Sequence, residues 1–403
     1  MAAFQRDPGI IAFEAFSGIR NDIPEHRFGL TDLAVGTNID IDESGGIARR
    51  AGRTLVRAGA THSLWSNGAL AMFVEGAQLK QLLPDYSAIV LRDGLTLGLP
   101  MSFVEVNGRV YFSNGAQTGV LDTGVVRSWG LPVPALPGVA VTTGAMPAGT
   151  YQYTVVGLRQ DGQQSGAPLA GVVTLTANAG LVFTMPSATD PGIVAWALYL
   201  TTPNGDVLYR ASVVPVNASA VSYTRDTTEL ALPLDTQFFS PPPAGHLLGY
   251  YRGRTFVAVN DTLFYSEPAA YELFDLRRFI TLDSRITMFA PIEDRDNPGV
   301  YVATDRSTGW ISGTDADSFK YVPGANYGVI PGTMAMVDGA MYTDHSTGAR
   351  MLPMWLSVEG LCVGLPGGLA MNLTRSKYKF TVSASNSRNS RSSLTTQEAG
   401  ASA

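Results

Sequence analysis

The sequence is poor in charge, in histidine and above all in cysteine. Its one cysteine, Cys362, permits no intrachain disulfide, and the apolar run GLCVGL around it points to a buried, inert thiol. A reducing compartment fits that usage. The four histidines, His26, His62, His246 and His345, lie far apart, each without a second His or Cys at metal-ligand spacing. Charged residues make up 15% of the chain and the net charge is −6, which excludes an electrostatic nucleic-acid binder with a concentrated basic face. Such a composition leaves a largely neutral surface suited to permanent contacts. No run of about 18 apolar residues occurs, and the opening MAAFQRDPG lacks a basic segment followed by an apolar one. The expectation is a chain that neither spans a membrane nor carries a signal peptide. Also absent are a G-x-S-x-G elbow, a P-loop, H-E-x-x-H and a dinucleotide glycine fingerprint, while GLPGGLAMN lacks the Lys of a phosphate cradle. Catalysis has no anchor here, so no catalytic residue, metal or cofactor is expected.

What the sequence has in quantity is glycine and proline set among short apolar runs. At 403 residues and 45% hydrophobic content it can fill two or three cores, and its 43 Gly and 24 Pro separate runs of Val, Leu, Tyr and Phe. That is the pattern of many short strands joined by tight turns, an all-β fold. Two proline-rich hinges, GLPVPALPG at 130–138 and FFSPPPAG at 238–245, read as the stems of an insertion. Between them TYQYTVVGL, VVTLTA, LVFTMP, VAWALYLTT, DVLYRASVV and AVSYT have strand length, with Tyr151, Tyr153 and Val155 on one face by period two. Asp161-Gly162 and Asn204-Gly205 mark tight turns. About 100 residues of this kind make an immunoglobulin- or fibronectin-III-like β-sandwich, here over 135–240.

Outside the insertion a strand, a tight turn and a second strand recur. Six stretches line up: HSLWSNGALAMFVEGAQL, MSFVEVNGRVYFSNG, LLGYYRGRTFVAVNDTLFYSE, ITMFAPIEDRDNPGVYVATDRSTGWI, GTMAMVDGAMYTD and MWLSVEGLCVGLP. They predict a β-propeller-like body over 1–134 and 241–382, whose ring of small sheets leaves only short edges. The last segment, 383–403, is a polar arm with too few large apolar residues to order itself.

Several constellations hint at chemistry. Asn38, Asp40, Asp42, Ser44 and Gly45 resemble a calcium loop, but Ala51 stands where the bidentate Glu belongs, and a half-exposed strand gives the same alternation. Arg49, Arg50, Arg53 and Arg57 form the densest basic stretch and are the candidate interface residues, offering guanidinium forks to a neighbouring subunit or to phosphate. Asp344, His345 and Ser346 have triad composition, but adjacent residues cannot face one another as a triad must. Glu293, Asp294, Arg295 and Asp296 read as a polar loop, and Tyr250, Tyr251, Phe256, Phe264, Tyr265, Tyr271 and Phe274, at strand spacing, read mostly as core.

The opening FSGIRNDIPEHRF, followed by NIDIDESGGIARRAGRT, resembles the start of bacteriophage virion proteins, the tail-tube or nozzle proteins of short-tailed phages that stabilise packaged DNA. YYRGRTFVAVNDTLFYSEP, ELFDLRRFITL and PIEDRDNPGVYVATDRSTGWI resemble the propeller body of the same group, whose members often carry an immunoglobulin-like insertion. The resemblance implies a non-enzymatic virion tail subunit, assembled in the host bacterial cytoplasm into a ring homo-oligomer, a hexamer by family likeness. Its partners would be portal, adaptor or other tail proteins, with transient passage of double-stranded DNA. Three alternatives stand beside it: a host-surface glycan-binding tail module, a minor tail protein of a long-tailed phage, and a propeller hydrolase.

Overall fold

The computed structural model describes residues 15–341, 351–375 and 377–378. The polar arm at 383–403 and the Asp344, His345, Ser346 group lie outside the described residues. Among those described there is no α-helix, only two 3-10 turns at Glu25–Arg27 and Gly339–Met341. The protein is all-β, built of many small antiparallel sheets.

Five of these sheets are four-stranded up-and-down meanders. The first comprises Thr61–Ser66, Ala71–Glu75, Gln78–Leu82 and Ala88–Arg92; the second Ser102–Val106, Arg109–Ser113, Thr118–Asp122 and Val125–Arg127. The third comprises Leu247–Tyr251, Arg254–Val259, Thr262–Glu267 and Ala270–Thr281. The fourth runs through Ile286–Ile292, Gly299–Thr304, Thr308–Ser312 and Lys320–Ala325, and the fifth through Ala335–Asp338, Met351–Ser357, Gly360–Gly364 and Ala370–Asn372. Their turns use the residues that tolerate left-handed backbone: Asn107-Gly108 and Arg252-Gly253 both take positive φ at the two central positions of two-residue hairpins. Four strands to a sheet changes the sequence pattern in one place. GTMAMVDGAMYTD and MWLSVEGLCVGLP, read as two separate units, fall into one sheet: Asp338-Gly339 opens a 3-10 turn in place of a tight two-residue hairpin, and Ala335–Asp338 pairs with Met351–Ser357.

The chain divides into two compact units, 63–289 and 1–62 with 290–403. In the first unit, the first and second meanders share a core of Met72, Val74, Leu79, Met101, Val110 and Phe112. The second and third share another, of Val106, Tyr111, Val120, Trp129, Leu248, Val257 and Phe274. Two cross-links fix that second junction: Ser113 Oγ donates to the Gly245 carbonyl and Ser102 Oγ accepts from the Leu248 amide at 2.9 Å.

Between the second and third meanders the chain makes seven further strands, in two sheets. Gly138–Met146, Ala179–Thr184 and Ala220–Tyr223 form one; Gly171–Leu175, Gly149–Leu158, Ala195–Leu200 and Tyr209–Pro215, in that spatial order, form the other. Both faces contribute to a single core that includes Met146, Tyr151, Tyr153, Val155, Phe183, Trp196, Leu198 and Tyr223. The period-two reading of Tyr151, Tyr153 and Val155 holds. Gly138–Met146 was not expected as a strand, since GVAVTTGAM follows directly on the proline hinge and its alternation breaks at Gly144. The two stems meet: a Cβ on Gly130 would lie 2.9 Å from the Cβ of Pro241 and 2.8 Å from the Glu272 carbonyl, and Gly130 has φ +83°.

In the second unit, Tyr301 packs between Trp310 (ring centroids 4.8 Å apart) and Trp355 (5.4 Å) and joins the fourth meander to the fifth. Its hydroxyl donates to the Leu365 carbonyl at 2.8 Å. Gly364 leaves room for the Tyr301 ring, which a Cβ there would meet at 2.4 Å. Cys362 is fully buried in this core, as its apolar surroundings require.

Candidate functional site

The expected interface arginines begin on a hairpin of Ile39–Ile41 against Ile47–Arg49, in register Ile39 to Arg49. Arg49 and Arg53 are exposed, Arg57 is half-buried, and Arg50 folds back on Asp40 with Nη2 2.8 Å from Oδ1. The same hairpin accounts for the calcium-like pattern. Asp42 Oδ1 accepts from the Ser44 amide, the Ser44 hydroxyl and the Gly46 amide at 2.6–2.9 Å, and these donors hold its carboxyl below the usual range. Its oxygen closes a turn, and Asp40 faces Arg50. Among the described residues no three His, Cys, Asp or Glu groups come together as a metal site would need.

The hairpin leads into a stretch, Arg50–Ala58, with no strand, turn or helix. Leu55 and Val56 within it are 79% and 61% exposed. Among the described residues, the backbone amides of Ala51–Val56 have no partner in this chain. Peptide groups and large aliphatic side chains are thus presented to the outside together.

A second constellation is deeply buried, and no local pattern announced it. Glu272, on the last strand of the third meander, is 3% exposed. Its Oε2 accepts from Arg159 Nη1 at 2.7 Å and from Arg127 Nη1 at 3.2 Å. Its Oε1 lies 3.0 Å from Arg127 Nη2 but outside hydrogen-bond geometry. Arg127 ends the second meander and also reaches Asp122 at 3.1 Å; Arg159 follows the Gly149–Leu158 strand and bonds Gln163 and the Ser128 carbonyl. One carboxylate thus ties the second meander, the third and the inserted strands. Burial raises the Glu272 carboxyl above its ordinary range, outweighing the guanidiniums that oppose the shift. Burial and the neighbouring Glu272 push the Tyr111 phenol up to about 12. No substrate-accessible atom is left on Glu272, so the cluster reads as a brace.

Above the brace opens a cleft of about 630 Å³, lined by residues of the first two meanders and of the inserted strands, among them Arg92, Arg127, Arg159, Asp161 and Asp190. Asp161 Oδ1 accepts from the Gln163 amide at 3.1 Å, and Asp190 Oδ1 from the Gly192 amide at 2.7 Å. Each of these carboxylates closes its own turn through Oδ1.

The remaining expected groups have structural partners. Asp294 is buried and Oδ1 closes its loop by accepting from the Asp296 and Asn297 amides. His246 Nε2 is 2.7 Å from the Ile286 carbonyl. Tyr251, Phe256, Tyr265 and Phe274 are buried, while Tyr250, Phe264 and Tyr271 are half-buried. No described helix is long and apolar enough to cross a membrane.

No family model and no curated protein matches this chain. Among solved structures it is similar to the extracellular domain of a proposed one-component system from B. thetaiotaomicron, with 9% identity over 83% of this chain and 57% of that one, at a TM-score of 0.21. It is also similar to a gluconolactonase from Xanthomonas campestris, with 13% identity over 78% of this chain and 86% of that one, at a TM-score of 0.18. The chain spans little more than half the length of the first of these. Scores this low decide neither fold nor activity. What the geometry yields by itself is an all-β chain whose buried charges are used for bracing and whose Arg50–Ala58 stretch faces outward.

Proposed function

We propose that this chain is a structural subunit of a phage tail, a ring-forming nozzle or tail-tube component that retains and conducts packaged DNA. In this reading the meanders are propeller blades and the seven inserted strands an immunoglobulin-like domain. The observation that carries it is the stretch Ala51–Val56: amides unpaired among the described residues, exposed Leu55 and Val56, and exposed Arg49 and Arg53 able to reach acidic groups of a neighbouring copy. Exposed peptide groups beside aliphatic side chains gain most when another chain covers them. The stretches that resemble those of short-tailed-phage nozzle proteins support this class of assembly. A net charge of −6 per subunit suits a conduit, since each phosphate neutralised by Lys or Arg would add counterion-release affinity and hold the duplex back.

The test is mass measurement and electron microscopy of the purified chain and of reconstituted tails. A closed ring around an axial channel is the expected result. Changing Arg49, Arg50 and Arg53 together to Ser should leave the β-sheet circular dichroism intact and dissolve the ring into monomers. A chain that stays monomeric at every concentration, or rings indifferent to the triple change, would sink the ring or its interface respectively.

A further inference from the structure

We infer that residues 51–56 of one copy pair as an added β-strand along Ala88–Arg92, the open outer edge of the first meander, in the next copy. The inference rests on the tail reading in one respect, that copies of this chain meet, and it names the surface on which they do.

Among the described residues, Ala88–Arg92 is paired on one side alone, with Gln78–Leu82. The Leu83 amide donates to the Ser87 carbonyl at 2.9 Å. By alternation Ile89 also faces that inner partner, and Ala88 and Val90 turn their N–H and C=O groups outwards. Ile89 and Val90 are 49% and 48% exposed, one on each face of the sheet. An edge of this kind is a template for another strand. The last strands of the other meanders are blunted. Val125–Arg127 and Ala370–Asn372 are three residues long, and Lys320–Ala325 contains Pro323. Ala270–Thr281 is interrupted where Asp275, Leu276, Arg277 and Arg278 bulge between the pairing of Ser266 with Phe274 and that of Phe264 with Phe279.

Residues 51–56 supply the matching half. Their amides have no partner among the described residues, and Leu55 and Val56 are exposed. Extended, they span about 20 Å against roughly 17 Å for Ala88–Arg92. Main-chain bonds give the affinity, and Leu55 and Val56 against Ile89 and Val90 give the register. Charge fits as well. Arg49 and Arg53 are exposed at the start of the segment, and Asp85 and Asp93 are exposed at the two ends of the edge. Each aspartate spends Oδ1 on its own turn, accepting from the Ser87 amide and the Gly94 amide, and keeps Oδ2 for a guanidinium. The cations near the edge are already used, Lys80 on Glu75 and Arg92 on the Thr118 carbonyl. Because segment and edge are different parts of one chain, the contact is head-to-tail, the kind that repeats about an axis into a ring.

The probe is a fluorescent peptide of residues 49–58, titrated by anisotropy into the full chain carrying Thr54→Pro and Leu55→Pro. That chain's own segment cannot complete a ladder, so the edge stays open whether or not copies associate. Saturable binding is expected, weakened about tenfold or more by Val90→Pro, which removes an outward N–H that the free edge does not use. Two further peptides, N-methylated at Arg53 and Leu55 or at Thr54 and Val56, keep the test open if Val90→Pro fails to fold. An added strand uses one of its two edges, so one of these peptides should bind and the other should not. Hydrogen exchange of the unaltered chain separates the pairing from the ring. As copies associate, alternate amides of residues 51–56 should gain protection together with Ala88 and Val90, while Ile89 is protected throughout. Dimers or open chains that protect these amides would remove the ring and keep the pairing. Rings in which Ala88 and Val90 still exchange fast would keep the ring and overturn the pairing. So would the absence of saturable binding, binding unaltered by Val90→Pro, or equal binding by both methylated peptides. A chain monomeric at every concentration would overturn both.

Discussion

The junction of the second and third meanders ends in a buried carboxylate and two guanidiniums, whereas the junction of the fourth and fifth is closed by Tyr301, Trp310 and Trp355 with one hydroxyl bond. The aromatic junction gains from area and shape, and such contacts tolerate small shifts. The ionic one gains little net energy, because desolvating three charges offsets most of their attraction. It constrains direction instead. Glu272 satisfies Arg127 and Arg159 only when the inserted strands stand in one orientation to the meanders. The lesson is that a place where three substructures converge is specified by charge, while two stacked sheets need only a complementary apolar face.

That contrast can be broken from either side. Trp355→Ala should cost about 3–5 kcal/mol, the usual loss for a buried tryptophan, read as a lower urea midpoint. Glu272→Ala, which leaves buried Arg159 without its carboxylate and Arg127 with Asp122 alone, should cost about 3 kcal/mol. Replacing Glu272, Arg127 and Arg159 together by Leu, Met and Met should recover much of that loss. A triple variant no better than Glu272→Ala would mean that the ionic set contributes stability and not only orientation.

The same carboxyl gives a pH signature. Its folded pKa is raised, so between its ordinary value near 4.5 and the raised one the folded state binds more protons than the unfolded chain. Stability from this group is therefore present in acid and declines as pH rises through that window, then levels off. Glu272→Gln should remove that decline from a melting-temperature profile, and Trp355→Phe should leave it in place.

Smaller effects sharpen the comparison further. Gly130→Ala puts a methyl 2.8 Å from the Glu272 carbonyl at a positive φ, and should cost about 1–3 kcal/mol in denaturant titration. Arg50→Ala removes an exposed pair with Asp40 and should leave the melting temperature where it is.

Strand content and most turns were legible because each rests on local chemistry. Asn-Gly dipeptides fix left-handed turns, prolines interrupt ladders, and alternation in TYQYTVVGL sorts one face from the other. Cys362 declared its burial through its apolar neighbours. The brace was not legible: Arg127, Arg159 and Glu272 sit 32 and 113 residues apart, and each looks like an ordinary surface charge in its own stretch. Only packing of three substructures makes them one group. Merging of the last two repeat stretches was hidden because Asp338-Gly339 has the composition of a hairpin turn and the geometry of a 3-10 turn.

Because Gly130 and Pro241 lie side by side, the chain enters and leaves the inserted strands at one place. The second and third meanders press directly on each other through Trp129, Phe274 and Leu248. Tension or compression carried along that part of the chain therefore passes from sheet to sheet and bypasses the inserted strands, which form a side branch of the load path. A side branch can be enlarged or exchanged while the sheets beneath it keep their packing. The Arg159–Glu272 bond is then the strut that sets how far the branch leans.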